Sequence, residues 1–241
     1  IDVLDIRTRE VKDLQEYPAT NLGFKPREMK YRFNWNAPLI NSAHDPKILY
    51  HAANVLFKST NGGFSWEVIS PDLTRNDTTK QNTSGGPITN EGAGGENYNT
   101  IYYVIESPHE RGVIYTGSDC GLVYLTKDGG KNWSNVTPVG MPEAMIHSIE
   151  VSPHDKGTVY VSASRYKFND YSNMTYKSTD YGKSWTKIGA GVEVDDFIKV
   201  IREDKKVKDL LYAGAERGFY ISTNGGASFR KFQLNLPVVP V

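Results

Sequence analysis

The sequence predicts an all-β fold, a β-propeller of four-stranded antiparallel blades with about four complete blades and a partial one, and three observations carry that prediction. One turn sequence occurs four times: Ser59-Thr60-Asn61-Gly62-Gly63-Phe64-Ser65-Trp66, then close copies at 126–133, 178–185 and 222–229. A second element ending in tyrosine precedes each copy, at Tyr50, Tyr115, Tyr160 and, in degraded form, Tyr212. The period is therefore about 45–65 residues, the length of one four-stranded blade per repeat. No stretch carries a helical stripe of apolar residues.

Residues 1–30 read as a partial blade and a link. Val3-Leu4-Asp5-Ile6 alternates apolar with polar, Arg7-Thr8-Arg9-Glu10 turns, Val11 resumes, and a Pro- and Gly-punctuated connection follows over 17–26. Residues 31–73 form the first full blade, with strands near 38–41, 48–52, 55–59 and 66–69. Residues 74–99 are a long loop of Asn, Thr, Gly and Ser, a length that is usually functional or disordered. Further blades occupy 100–140, 141–191 and 192–235, and 236–241 is an exit strand or tail whose Pro237 and Pro240 cannot donate ladder hydrogen bonds. An open ring leaves two sheet edges unpaired. Either the tail closes it onto the N-terminal hairpin, or the remaining blades of a longer protein do; the second is the expectation.

Each residue type in the repeated turn has a physical task. Asn61, Asp128, Asp180 and Asn224 accept hydrogen bonds from turn N–H groups, glycine supplies the positive-φ position, and the aromatic starts the outgoing strand. These four positions read as scaffold. The pattern Ser/Thr-x-Asp/Asn-x-Gly-x-x-aromatic resembles the Asp box of the BNR-repeat propellers, among them sialidases, xyloglucanase-like secreted glycosyl hydrolase repeat proteins and sortilin-like (VPS10) receptors. The resemblance implies boxes between the third and fourth strands of each blade, ligands on the opposite face at the mouth of the central channel, and a secreted or cell-surface location.

Composition narrows the function. Basic and acidic residues balance at 28 each, which leaves no field for nucleic acid or an anionic membrane, and no apolar run approaches the ~20 residues of a membrane span. The single Cys120 excludes an internal disulfide and has no evident base beside it. The five histidines, His44, His51, His109, His147 and His154, read as turn or packing residues, so no metal site and no cofactor are predicted.

On the presumed ligand face, a mixture of aromatics, amides and carboxylates suits a polysaccharide or other glycan, whose ring faces pack on aromatics while planar polar groups hold its hydroxyls. The ligand-binding candidates are Trp35, Tyr98, Asp119, Arg165, Tyr166, Tyr171, Glu216 and Arg217, several of them from an enlarged third-blade turn over 164–173. Hydrolysis needs two carboxyls, about 5–5.5 Å apart for retention and about 6.5–9.5 Å for inversion. Asp195 or Asp196 with Asp170 or Glu96 is the pair to examine. A sialidase does not fit, because only Arg165 and Arg217 reach that face and no Phe/Tyr-Arg-Ile-Pro motif is present. The expectation is a carbohydrate-active module that binds a polysaccharide or forms part of a glycoside hydrolase cleft. The alternative is a non-catalytic protein-recognition propeller using the same face.

Overall fold

The computed structural model describes residues 1–19, 22, 24–82 and 97–240. β1 (Asp2–Leu4) and β2 (Val11–Asp13) make a two-stranded hairpin. Blade 1 is β3 (Leu39–Asn41), β4 (Leu49–Ala52), β5 (Leu56–Ser59) and β6 (Glu67–Val68). Blade 2 is β7 (Ile101–Glu106), β8 (Ile114–Ser118), β9 (Val123–Thr126) and β10 (Ser134–Asn135). Blade 3 is β11 (Met145–Val151), β12 (Val159–Arg165), β13 (Asp170–Ser178) and β14 (Thr186–Ile188). Blade 4 is β15 (Ile198–Glu203), β16 (Leu211–Ala215), β17 (Phe219–Ser222) and β18 (Arg230–Lys231). In all four sheets the strands pair antiparallel in sequence order, as the repeat predicts.

The repeated turn joins the third strand to the fourth in every blade, and its bonds recur. In the first copy Ser59 Oγ accepts from Gly63 N at 2.8 Å and donates to Asn61 Oδ1 at 2.9 Å, while Ser65 N donates to the same Oδ1 at 3.0 Å. Thr126 with Asp128, Ser178 with Asp180 and Ser222 with Asn224 repeat this arrangement. Hydrogen bonds from Asn132 and from Ser184 hold the carboxyls of Asp128 and Asp180 down to about 2.

The core is divided among the spaces between sheets. Leu56, Ile101 and Ile114 fill the space between blades 1 and 2, Tyr115, Ile146 and Val161 that between blades 2 and 3, and Tyr160, Ile198 and Ala213 that between blades 3 and 4. Directional clasps accompany the apolar layers, an indole at the first two and an imidazole at all three. Trp133 Nε1 donates to Ile69 O of the preceding blade at 2.9 Å, and Trp185 Nε1 to Val136 O at 2.8 Å. In the other direction, His44 Nε2 bonds Ser107 O, His109 Nε2 bonds Ser152 O and His154 Nε2 bonds Asp204 O, at 2.8, 2.8 and 2.7 Å. A carbonyl only accepts, so each of these Nε2 atoms carries the proton.

The same clasp locates the hairpin. Trp66 Nε1 donates to Leu14 O at 2.7 Å, and Leu14 follows β2 just as Ile69 follows β6 and Val136 follows β10. The β1–β2 hairpin thus takes the place of the outer two strands of a blade before the first. Residues 236–240 add no strand to it. One expectation changes: the enlarged third-blade turn is mostly strand, because β12 runs to Arg165 and β13 begins at Asp170, its pairing partner. A 3-10 turn over Tyr166–Phe168 joins them, closed by Asn169 at φ +56°.

Trp133→Phe keeps the ring but removes its N–H, leaving Ile69 O without that donor. The expected loss is about 1 kcal/mol, a fall of about 2–4 °C in Tm by thermal unfolding. Gly130→Ala costs more, because this glycine has φ +101° and an added Cβ would lie 2.5 Å from Ile69 O.

Candidate functional site

The three complete inner strands β7, β11 and β15 share an irregularity. Pairing with the next strand slips between Ile101 and Tyr103, between Ile146 and Ser148, and between Ile198 and Val200. The unpaired residue is Tyr102, His147 or Lys199, the same repeat position in three blades. A bulge of this kind re-aims one side chain. All three side chains line a single cleft of about 510 Å³ at the mouth of the inner strands.

Its remaining walls are Met145, Tyr166, Tyr171, Phe197 and Glu216. The rings of His147, Tyr166 and Phe197 are near-parallel, with centroids 6.1–6.3 Å apart and interplanar angles of 25° or less. Tyr102 stands edge-on to His147 at 6.4 Å. Lys199 Nζ meets Glu216 Oε2 at 2.5 Å, so the polar end of the cleft is an ion pair set against aromatic faces. Larger open space exists elsewhere, a groove of about 550 Å³ between blades 1 and 2 beside the repeat turn. A similar groove of about 340 Å³ between blades 3 and 4 marks it as a product of blade geometry, whereas the inner cleft gathers side chains from three blades.

Tyr166, Tyr171 and Glu216 of the sequence candidates are brought together in the cleft. Trp35 lies on the approach to blade 1, exposed, next to Asn36, whose side chain donates to Tyr102 Oη at 3.0 Å. Tyr98 is buried and bonds Glu143, which also takes Lys80 Nζ at 2.6 Å. Asp119 is buried beneath Tyr166 and accepts from Thr100 N and Oγ1 at 2.9 and 2.8 Å; burial pushes its carboxyl up to about 7. Arg165 pairs with Asp170 at 3.3 Å, and Asp170 Oδ1 also accepts from Ser172.

Asp196 faces inward, accepting from Arg217 N and Tyr220 Oη at 2.9 Å each, while the Arg217 guanidinium donates to Val194 O. Asp195 is exposed at a left-handed turn position with φ +59°. Glu96 lies outside the described residues. Among the described residues, Glu216 is the one carboxylate lining the cleft. Cys120 is buried against Ser118 and Arg75, and burial pushes its thiol up to about 12. No group of three or more His, Cys, Asp or Glu among the described residues is placed to hold a metal ion, and no described helix is long and apolar enough to cross a membrane.

Tyr102, His147 and Lys199 escape a reading by alternation alone. Their signal is in the sequence nonetheless: Ile101-x-x-Val104-x-Glu106, Ile146-x-x-Ile149-x-Val151 and Ile198-x-x-Ile201-x-Glu203 each place buried residues three apart and then two. A regular strand requires two throughout.

Fold and site define a β-propeller with one composite cleft at the mouth of its inner strands. The chain belongs to the sortilin family (Sortilin-Vps10), whose sequence model, described as sortilin, neurotensin receptor 3, matches residues 54–207. It is also similar to a xyloglucanase of Hypocrea jecorina, 24% identical over an alignment of 143 residues that covers 53% of this chain and 17% of that protein. Among solved structures it resembles an ancestral GH74 enzyme (TM-score 0.62, 17% identity, 86% of this chain and 25% of that one). The GH74 xyloglucanase of Xanthomonas campestris is similar in the same way (TM-score 0.58, 18% identity, 80% and 29%). At these identities the likeness is one of fold, and the chain spans less than a third of each of these relatives.

His147 is the titratable centre of the cleft. Its Nε2 lies 2.7 Å from Ser164 Oγ; burial first, then the charges of Lys199 and Lys167, push its pKa from 6.5 to about 4. The imidazole is therefore neutral at pH 7. A depressed folded pKa contributes stability above about 6.5 that is lost as pH falls through about 4. In an NMR titration the His147 ring signals are expected to hold their neutral positions down to about pH 5. Lys199→Met is expected to raise the midpoint, and an unchanged midpoint would remove Lys199 from the account.

Proposed function

We propose that this chain is a carbohydrate-binding propeller of an extracytoplasmic protein, and that it takes a β-glucan-type polysaccharide in the cleft at Tyr102, His147 and Lys199. The observation that carries this reading is the cleft's composition: near-parallel rings beside an ion pair, with a neutral imidazole between. Sugar C–H faces pack on Tyr166, and ring hydroxyls bond Tyr102 Oη, Lys199 and Glu216. The similarity to the Hypocrea jecorina xyloglucanase supports the choice of polysaccharide.

Binding is favoured over hydrolysis, because Glu216 is committed to Lys199 and has no second carboxyl beside it in the cleft among the described residues. A hydrolytic cleft would take its second carboxyl from Asp195, which is exposed two residues before Phe197, from Glu96, or from further blades. Asp170 and Asp196 serve local bonds instead. Further blades also complete the ring in this proposal, continuing from the hairpin that stands as the outer half of one. A second reading, a protein-recognition propeller, draws on the match to a family described as sortilin, neurotensin receptor 3.

Isothermal titration with xyloglucan and cello-oligosaccharides separates these readings. Tyr166→Ala and Lys199→Met are each expected to weaken binding about tenfold, the scale of one lost aromatic or charged contact. Reducing-end release measured alongside, and lost in Asp195→Asn or Glu216→Gln, would convert the binding site into a hydrolytic one. No affinity for any glycan at millimolar concentration would leave protein recognition as the reading to pursue.

A further inference from the structure

We infer that the Lys199–Glu216 pair is the charge selector of the cleft: it admits neutral sugar rings and excludes acidic ones, and Glu216 is the residue that sets this choice. The inference deepens the carbohydrate reading above and rests on it. Of the eight described residues that line the cleft, Lys199 and Glu216 alone carry a full charge, because the His147 imidazole is neutral. Lys199 Nζ meets Glu216 Oε2 at 2.5 Å, so the two charges cancel inside the site.

Blade 4 alone builds the pair. Ile198 pairs with Ala215 across β15 and β16, and Glu216, next after Ala215, donates its backbone N–H to Phe197 O at 3.1 Å. Lys199 is the bulge residue of β15, two positions beyond Phe197, and its ammonium lies 5.9 Å from the centre of the Phe197 ring. The ammonium is thus set between a carboxylate and an aromatic face. Neighbouring charges are engaged elsewhere: Arg165 pairs with Asp170 at 3.3 Å, and Lys167 lines, together with Asp119, a small cavity that shares Tyr166 with the cleft. With side-chain exposures of 30% and 36%, the Lys199–Glu216 pair contributes little to folding. Its place at the polar end of an aromatic cleft suits it to recognition instead.

Charge decides what such a pair can accept. A neutral sugar presents adjacent hydroxyls, each able to donate and to accept a hydrogen bond. One donates to a free lone pair of Glu216, while its neighbour accepts from an ammonium N–H of Lys199 that Glu216 leaves open. A uronic acid brings a carboxylate to the same place. It meets the like charge of Glu216 and must displace that group to reach Lys199, which exchanges one ion pair for another and leaves Glu216 unpaired in a partly desolvated cleft. Without the Glu216 carboxylate the preference reverses, because Lys199 then stands unpaired beside aromatic faces and is open to a charge-assisted bond from a uronate.

The test compares two ligands of the same length and linkage, a cello-oligosaccharide and the same chain oxidised at C6 to glucuronate. Isothermal titration of the wild-type chain is expected to show the neutral ligand bound about tenfold more tightly. Glu216→Gln is expected to bring the oxidised ligand to equal or tighter binding, with an affinity that falls as salt is raised. Lys199→Met is expected to weaken the neutral ligand about tenfold and to gain nothing for the oxidised one. The exchanged pair, Lys199→Glu with Glu216→Lys, restores neutrality and is expected to restore the wild-type preference, an outcome that damage to the fold would not give. Equal binding of both ligands by the wild type, or tighter binding of the oxidised one, overturns the selector and leaves the carbohydrate reading standing. A Glu216→Gln variant that keeps the wild-type preference does the same. Failure of the wild type to bind either ligand overturns both.

Discussion

Each of the first three blades carries an indole N–H and an imidazole N–H bonded to carbonyls of a neighbour, the Trp133 N–H being shared with Gly130 O of its own turn. The tryptophan points back to the preceding blade and the histidine forward to the next. Buried or half-buried carbonyls must find donors, so stacking the sheets is what completes the hydrogen bonding of each. The apolar layers supply most of the attraction without direction; the clasps set the angle at which one sheet meets another. Blade 4 shows the rule by its exception: Phe229 replaces the tryptophan, and its backbone N–H reaches Ala190 O instead.

Once the sheets are held in this way, their inner strands are held as well, and the bulges acquire consequence. A bulged residue in an isolated sheet merely twists an edge. Three of them at one height, on strands fixed side by side, converge on a common space. Deeper along the same strands Arg202 donates to Tyr103 Oη at 3.0 Å and faces Glu150 at 3.4 Å, linking blades 2, 3 and 4. Burial pushes the Glu150 carboxyl up to about 7, so the inner-strand region holds charges whose states depend on their neighbours as much as on pH.

The cleft divides its labour by distance from the backbone frame. Groups that orient, such as Asp119 on Thr100 and Asp196 on Arg217 and Tyr220, are buried and tied to main-chain atoms. Groups that face open space, such as Tyr166 and Tyr171, are partly exposed and sit on the 3-10 turn and strand of blade 3. Acidic residues chosen for their adjacency in sequence, Asp195 and Asp196, fall on different sides of this division, because neighbouring residues of a turn point in different directions.

The blades were legible in the sequence because each repeat turn is a closed local matter, in which Ser59, Asn61 and Gly63 satisfy one another within a few residues. β4 over Leu49–Ala52 and β5 over Leu56–Ser59 agree with the strands expected near 48–52 and 55–59, and Tyr166, Tyr171 and Glu216 were readable as exposed polar or aromatic residues on loops and strand ends. His44, His109 and His154 read as turn residues, but the carbonyls they bond lie some 43–63 residues away. By itself, then, the sequence determined the repeat, the turns and the all-β class, since those depend on residues close together along the chain. Only the tertiary structure decided the site. Tyr102, His147 and Lys199 get their direction from a slip in pairing with a second strand, and they meet only because sheets clasped through distant carbonyls bring three inner strands to one mouth.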